Sequence, residues 1–168
     1  IANGVHPAPF QREMARGGAQ SEASQYINYL RQEGSEDRLA ADDFAKLLAL
    51  FSAKMDMSWL SGATPKSYKH AWQDAGGLRG MVNWYRASPL KVAAPGVPLT
   101  DLRPMPADRL QVRCPHLLLW GQGDTALLPQ STEGLEDFAP NLTRLEIAEA
   151  DHWLFHQRPE FIAGCVLG

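Results

Sequence analysis

The feature that most constrains the fold is a short apolar run at 117–120, Leu-Leu-Leu-Trp, which stops abruptly at Gly-Gln-Gly-Asp, 121–124. Such a run is typical of a strand buried on both faces within a parallel sheet. A second strand is predicted at 141–147, where apolar and polar residues alternate. We expect one helix between the strands, at 130–138, and another that opens with Pro159. Strands that alternate with helices predict an α/β fold with a parallel sheet and right-handed crossovers.

The first half of the chain is predicted to be helical and shows no convincing strand between residues 9 and 85. Apolar residues recur there at helical spacing in four stretches, and Asp42 or Asp43 is predicted to cap the second of these helices. A linker at 88–106 follows, because its five prolines can neither continue a helix nor lie inside a sheet. The four stretches are Ala23-Tyr26-Ile27-Leu30, Phe44-Leu47-Leu48-Phe51, Ser67-Tyr68-Ala71-Trp72 and Leu78-Met81-Val82-Tyr85.

The composition restricts the class of protein. With 168 residues, of which 45% are hydrophobic and 21% charged, the chain fits a soluble globular domain. The net charge of -3 and the lack of a basic stripe argue against a nucleic-acid partner. No apolar run reaches the roughly 18 residues that a membrane span needs. Because Cys114 and Cys165 form no disulfide framework either, we expect a cytoplasmic protein with no membrane partner.

Two residues suited to acid–base chemistry follow the predicted strands. Asp124 lies four residues past Trp120, and His152 lies five past Ile147. Functional groups of open parallel sheets gather beyond the carboxyl ends of the strands, so both loops are expected at the same edge of the sheet. A carboxylate beside an imidazole fixes its tautomer and stabilises the imidazolium that forms when the histidine takes a proton. Either residue alone is more often a turn or packing residue, so the case for catalysis depends on the pair.

Three segments resemble the α/β-hydrolase superfamily. The segment Trp-Gly-Gln-Gly-Asp-Thr-Ala-Leu-Leu-Pro at 120–129 is similar to the acid-bearing segment of the family, and Ala-Asp-His-Trp at 150–153 is similar to its histidine loop, usually Gly-His-Trp. Asn-Gly-Val-His-Pro at 3–7 resembles the end of the strand that follows the nucleophile helix. The order of acid and then histidine is that of the hydrolase fold. The resemblance implies a partial α/β-hydrolase fold, with a core strand ending at 1–8, a helical cap at 9–88 and the C-terminal part of the core at 89–168.

Two further motifs narrow the resemblance to soluble epoxide hydrolases. Tyr-Ile-Asn-Tyr-Leu-Arg-Gln-Glu-Gly at 26–34 and Val-Asn-Trp-Tyr-Arg at 82–86 are similar to two cap segments of that family. In the family, one tyrosine of each segment donates a hydrogen bond to the epoxide oxygen, which implies this role for Tyr26 and Tyr85. Two phenols aimed at a developing alkoxide act as an oxyanion hole that also supplies a proton. Tyr29 is the rival of Tyr26, and the alternative is that these tyrosines only pack within the cap.

The resemblance implies a small apolar organic substrate and no cofactor. A metal site is not expected, since His152 and His156 lack the glutamate that a zinc protease places between such a pair. His6 fits either a substrate contact or a solvated residue near the start of the chain. The expected substrate-binding residues are Trp84, Trp153, Tyr29 and His6, and the expected apolar pocket residues of the cap include Phe44, Phe51 and Trp59.

The sequence contains neither Gly-x-Ser-x-Gly nor a glycine-framed aspartate after a strand. We therefore expect a truncated chain, inactive alone, whose partner is the N-terminal half of the same fold or a second copy. In the complete protein, an aspartate nucleophile would open an epoxide and form an ester. His152, oriented by Asp124, would activate the water that cleaves this ester. The alternatives are a haloalkane or haloacid dehalogenase, a serine esterase of the same fold, and a catalytically inactive binding module.

Overall fold

The computed structural model describes residues 1–52, 54–74, 76–102 and 105–167. Contacts divide the chain into a strand-bearing unit, Ile1–Ser24 with Lys91–Gly168, and a helical unit, Gln25–Leu90. The helical unit begins later in the chain than the predicted cap of 9–88. The boundaries of that cap as a domain stay a prediction. Pro104 of the predicted linker lies outside the described residues.

The strand-bearing unit is built around two parallel strands, β1 (His116–Gly121) and β2 (Leu142–Ile147). Their register places His116 opposite Leu142 and Gly121 opposite Ile147, so both strands end at the same edge. The segment 1–3 lies along the other side of β1, where Ala2 forms a parallel bridge with Leu119. Both predicted strands and their parallel arrangement are confirmed, and β1 has neighbours on both sides.

The helices of this unit are α1 (Pro7–Ala15), α2 (Ala19–Ala23), α7 (Leu154–Gln157) and α8 (Pro159–Leu167). The last two contribute residues to an apolar cluster with β1. Leu119 of β1, Ala150, Leu154 and Ile162 form one apolar cluster, in which Leu154 is fully buried. Each leucine or isoleucine side chain removed from water in this way stabilises the fold by about 1.5–3 kcal/mol. Pro159 opens the last helix, as predicted.

The helix predicted at 130–138 is wrong. Two short 3-10 helices, Pro129–Thr132 and Leu135–Asp137, occupy this stretch instead. Gly134 separates them with a φ of 75°, a left-handed conformation that ends a right-handed helix and that glycine adopts without steric cost. The sequence of apolar residues there is compatible with either form, and the glycine decides between them.

The helical unit contains α3 (Gln25–Leu30), α4 (Ser35–Ser52), α5 (Thr64–Gln73) and α6 (Gly77–Ala87). The first predicted stripe, 23–30, is not one helix, because Ser24 separates α2 from α3. The other three stripes lie on α4, α5 and α6. In the described ranges, no helix combines the length and the apolar character that crossing a bilayer requires. The core of this unit consists of Leu30, Leu39, Phe44, Leu47, Trp72, Leu78 and Val82.

A left-handed turn interrupts α4. Asp42, Asp43 and Phe44 all have φ between 51° and 65°, so the range Ser35–Ser52 consists of two helical stretches. Asp42 and Asp43, one of which was predicted to cap this helix, both lie in the turn that precedes the second stretch. The first stretch, which begins at Ser35, was not predicted, because its sequence is an acidic run with little apolar periodicity.

Candidate active site

The central feature of the strand-bearing unit is a contact between Asp124 and His152. Nδ1 of His152 lies 2.9 Å from Oδ2 of Asp124. Asp124 lies on the loop after β1, and His152 lies on the loop after β2. Because an ionised carboxylate only accepts hydrogen bonds, Nδ1 carries the proton and donates. The lone pair of Nε2 is then the basic site of the ring. The side chain of His152 is 31% exposed and that of Asp124 is fully buried. The imidazole of His152 is therefore accessible to solvent, while its hydrogen-bond partner, the Asp124 carboxylate, is not.

Four donors surround the Asp124 carboxylate. Oδ1 accepts from the backbone N–H groups of Ala126 and Leu127, each at 2.8 Å. Oδ2 accepts from Nδ2 of Asn3 at 2.8 Å and from the ring of His152. All partners are donors, which is what a buried, ionised carboxylate requires. These hydrogen bonds hold both oxygens of Asp124 in place, and the carboxylate in turn orients the ring of His152.

Backbone hydrogen bonds tie the loop after β1 to the loop after β2. The N–H of Gln122 donates to the carbonyl of Ile147 at 3.0 Å, and that of Gly123 donates to the carbonyl of Ala150 at 2.9 Å. These bonds continue the parallel pairing beyond the strand ends. As a result, the acid and the histidine are brought together by the sheet register rather than by flexible loops.

Asp151 gives the histidine loop its shape. Its Oδ1 accepts from the backbone N–H of Trp153 at 2.9 Å, and its own N–H donates to the side chain of Gln157 at 2.9 Å. Asp151 is buried. The glycine usual at this position in the family is therefore replaced by a residue whose carboxylate closes a local turn, a common role of aspartate.

Gln20, which the sequence did not single out, supports the acid loop. Its Oε1 accepts from the N–H of Leu128 and the hydroxyl of Ser131, both at 2.7 Å. Its Nε2 donates to the carbonyl of Ala126 at 2.9 Å and to Ser24 at 2.8 Å. Gln20 is 3% exposed. A buried glutamine in a short helix has no distinctive sequence signal, so only its contacts reveal this function.

Tyr26 and Tyr85 form a pair within the helical unit. Their rings meet edge to face with centroids 5.9 Å apart, and their side chains share a hydrogen bond. Burial raises the pKa of Tyr85, and the hydrogen bond from Tyr26 acts in the opposite direction. Tyr85 therefore keeps its proton at neutral pH. The two tyrosines singled out from separate motifs are adjacent phenols on α3 and α6.

Tyr29 and Trp84 lie in different surroundings from this pair. The ammonium of Lys46 lies 4.4 Å from the centre of the Tyr29 ring, and the guanidinium of Arg38 lies 5.4 Å from it. Burial acts to raise the pKa of Tyr29, but the positive charges of Lys46 and Arg38 lower it on balance. Trp84 is 77% exposed on α6 within the structure.

Trp153 and His6 are the other two residues expected to bind substrate. The Trp153 ring lies edge to face against His152, with centroids 5.3 Å apart. Nδ1 of His6 accepts from the N–H of Ala8 and so caps α1, and Nε2 lies 2.9 Å from the carbonyl of Leu110. The His6 ring also stacks on Phe138. Both ring nitrogens of His6 are thus engaged by backbone, which is a structural arrangement rather than a free binding group.

The aromatic residues expected to line an apolar pocket instead pack against one another. Phe44 and Phe51 both contact Trp72, with centroids 5.3 and 5.4 Å apart, and Trp59 contacts Tyr68. A cavity of about 990 Å³ in the helical unit is lined mainly by polar and charged residues, Arg31, Glu36 and Arg86 among them. Phe44 also lines this cavity, and the apolar pocket expected from Phe44 and Phe51 stays a prediction.

Comparisons with known proteins agree with the motifs. No family model matches the sequence. The AB hydrolase superfamily protein YfhM of Bacillus subtilis is 26% identical over 145 residues, which cover 86% of this chain and 46% of that protein. Epoxide hydrolase 4 of Mus musculus is 24% identical over 173 residues, covering 99% of this chain and 45% of that protein. The chain spans about half the length of the curated relatives it matches.

Solved structures show the same relationship. An epoxide hydrolase of the α/β-hydrolase superfamily from metagenomes of hot environments superposes with a TM-score of 0.77 and 32% identity, over 99% of this chain and 56% of that one. The epoxide hydrolase of Bacillus megaterium in complex with an inhibitor gives a TM-score of 0.72 at 24% identity, over 99% and 57%. The fold is part of an α/β-hydrolase fold. Within that superfamily the chain resembles epoxide hydrolases, as the motifs predicted.

Proposed function

We propose that this chain is the part of an epoxide hydrolase that carries the acid, the histidine and the two proton-donating tyrosines. The observation that carries the proposal is the 2.9 Å hydrogen bond between His152 and the buried Asp124. The similarity to hydrolases of this fold supports hydrolysis as the reaction class. The substrate would be a small apolar epoxide.

The first step would open the epoxide. An aspartate carboxylate, in a part of the protein outside these residues, attacks an epoxide carbon. The carbon–oxygen bond of the ring breaks, and the oxygen takes a proton from Tyr26 or Tyr85, which leaves a hydroxyalkyl ester. The adjacency of the two phenols supports their role as donors.

The second step would cleave the ester. Nε2 of His152 takes a proton from water, and the hydroxide attacks the ester carbonyl. The bond between the acyl carbon and the alkoxide oxygen breaks, and the alkoxide takes the proton that the attacking hydroxide brought, so that the diol and the aspartate carboxylate are released. The proton on the imidazolium of His152 then returns to the tyrosinate left by ring opening, which restores both groups. Asp124 stabilises the imidazolium that forms meanwhile, without taking the proton itself.

The test is a set of variants in the full-length protein with an aryl epoxide as substrate. We expect H152Q to form the ester and not release the diol, so that one equivalent of enzyme-bound product accumulates. Y26F and Y85F should lower kcat by about 10²-fold, and the double variant should abolish ring opening. Formation of diol by H152Q at the wild-type rate would contradict the proposal.

Two parallel assays separate the alternatives. Release of halide from a haloalkane would point to a dehalogenase, and hydrolysis of an aryl ester through an acyl-serine would point to an esterase. A full-length protein that binds an epoxide but turns over none of these substrates would support the inactive binding module. The exposed substitution Q130L serves as a control for the general effects of mutation.

A further inference from the structure

Asn3 lies at the end of the segment that pairs with β1 and is only 6% exposed. Its N–H donates to the carbonyl of Leu119 at 3.0 Å. Its φ is 38°, in the left-handed region that asparagine tolerates better than most residues with a side chain. The backbone at this position is thus held in an uncommon conformation, next to the carboxyl end of β1.

The side-chain amide of Asn3 joins three parts of the site. Its Nδ2 donates to Oδ2 of Asp124 at 2.8 Å and to the carbonyl of Asp151 at 2.9 Å. Its Oδ1 accepts from the N–H of Gly121 at 2.7 Å. One amide therefore connects the end of β1, the acid and the residue that precedes His152.

The chemistry of these three contacts requires an amide. Nδ2 faces two acceptors, and Oδ1 faces a donor. A carboxylate has no proton to donate, and an apolar side chain of the same shape would leave a buried carbonyl and a buried carboxylate oxygen without this donor. The carboxylate oxygen that Asn3 holds is also the one that receives the proton of His152.

We propose that Asn3 is a positioning residue for the histidine, acting through Asp124 and the carbonyl of Asp151. It fixes the oxygen that orients the ring and, at the same time, the backbone from which the ring projects. This inference rests on the proposed function, because its consequence concerns the step in which His152 activates water. Ring opening does not use His152 as a base, so loss of Asn3 slows ester cleavage and leaves ester formation nearly unchanged.

The first test is N3L in the full-length protein, with N141L at an exposed asparagine as its control. We expect kcat to fall by about 10²-fold, the cost of misplacing a catalytic group by about 1 Å. KM should fall as well, because the ester accumulates, and mass spectrometry should detect it on the enzyme. A folded N3L enzyme with unchanged kcat and no accumulated ester would overturn the inference.

N3D keeps the shape of the side chain and tests its hydrogen-bonding pattern. A carboxylic acid at position 3 donates to Asp124 only while it is protonated, and above that pH two like charges face each other. The ratio of kcat for N3D to kcat for the wild type should therefore fall as the pH rises, whereas the ratio for N141D stays constant. If N3L does not fold, this profile decides the question, and a constant ratio for N3D overturns the inference.

Proton NMR gives a readout that needs no turnover. The Nδ1 proton of His152, hydrogen bonded to a buried carboxylate, is expected at low field in the wild type and should shift or exchange away in N3L. An unchanged resonance in N3L overturns the positioning role. A shifted resonance in N3L supports the positioning role even if the wild type opens no epoxide. Failure of the wild type to open an epoxide would overturn the proposed function and leave the positioning role of Asn3 standing.

Discussion

Gly121, the last residue of β1, packs directly against the carbonyl oxygen of Asp151, the residue before His152. A Cβ at Gly121 would lie 2.4 Å from that oxygen, well inside the contact distance of a carbon and an oxygen atom. The histidine loop therefore approaches the acid loop as closely as a glycine permits. This approach lets His152 reach Asp124.

We predict that G121A displaces the histidine loop. The added methyl group must push Asp151 away, so the hydrogen bond between His152 and Asp124 lengthens and ester cleavage slows by about 10²-fold. Steady-state kinetics of the full-length enzyme measures the effect. The control is G164A on the exposed face of α8, where a Cβ meets nothing within 4 Å. G164A should instead stabilise the fold by up to about 1 kcal/mol.

Q20L is predicted to destabilise the acid loop. Leucine has a similar size but removes all four hydrogen bonds of Gln20, which leaves the partly buried N–H of Leu128 and the buried hydroxyl of Ser131 without this partner. We expect a loss of about 2–4 kcal/mol in the free energy of unfolding, measured by urea denaturation. Q130L, at an exposed glutamine in the same unit, should change it by less than about 0.5 kcal/mol. Equal stability of the two variants would contradict this account.

Adjacent residues of α7 provide a test of the apolar core. Leu154 is fully buried, and Phe155 is 57% exposed. L154A should lower the free energy of unfolding by about 2–5 kcal/mol through lost burial and a cavity. F155A removes a larger side chain from the surface and should cost much less. The order of the two effects, measured by thermal or urea unfolding, would be reversed if α7 packed through its other face.

Stability should also depend on pH through the ion pair of Glu36 and Arg86. The hydrogen bond from Arg86 lowers the pKa of Glu36 from 4.5 to about 2. Because the pKa is lower in the folded state, the stabilisation is complete above pH 4.5 and is lost as the pH falls toward 2. The difference in free energy of unfolding between wild type and E36Q should therefore be largest near neutral pH and shrink below 4.5.

The matched control for this prediction is E160Q, at an exposed glutamate on α8. It removes the same charge from the chain without touching the pair. Denaturation curves of both variants across the acidic range separate the local pair from the effect of net charge. A difference for E36Q that stays constant down to pH 2 would contradict the assignment.

Local patterns were sufficient for much of the fold. The apolar run at 117–120 predicted the first strand, because a strand buried on both faces has a continuous run of apolar residues. The alternation at 141–147 predicted the second strand, because a strand buried on one face alternates apolar and polar residues. The stripes on α5 and α6 predicted those helices for the same reason. The break at Ser24 and the two short helices around Gly134 were missed, because apolar spacing continues through both points.

The site was predictable to a different degree. The contact of Asp124 with His152 follows from parallel strands that end at one edge, so two loop positions were enough to expect it. Asn3 and Gln20 have no such signal, because their partners in the acid loop lie more than a hundred residues away in the chain. His6, which lies within the motif at 3–7, caps a helix in the structure, and its expected contact with substrate stays a prediction.

The two strands, three of the four helical stripes and the residues at the strand ends were determined by the sequence alone, since each depends on neighbours a few positions apart. The tertiary structure decided which oxygen of Asp124 the histidine uses, which amide holds it and how closely the two loops approach. These are properties of hydrogen bonds and close packing between distant segments. Their energies depend on tenths of an ångström, which no periodicity of residue types encodes.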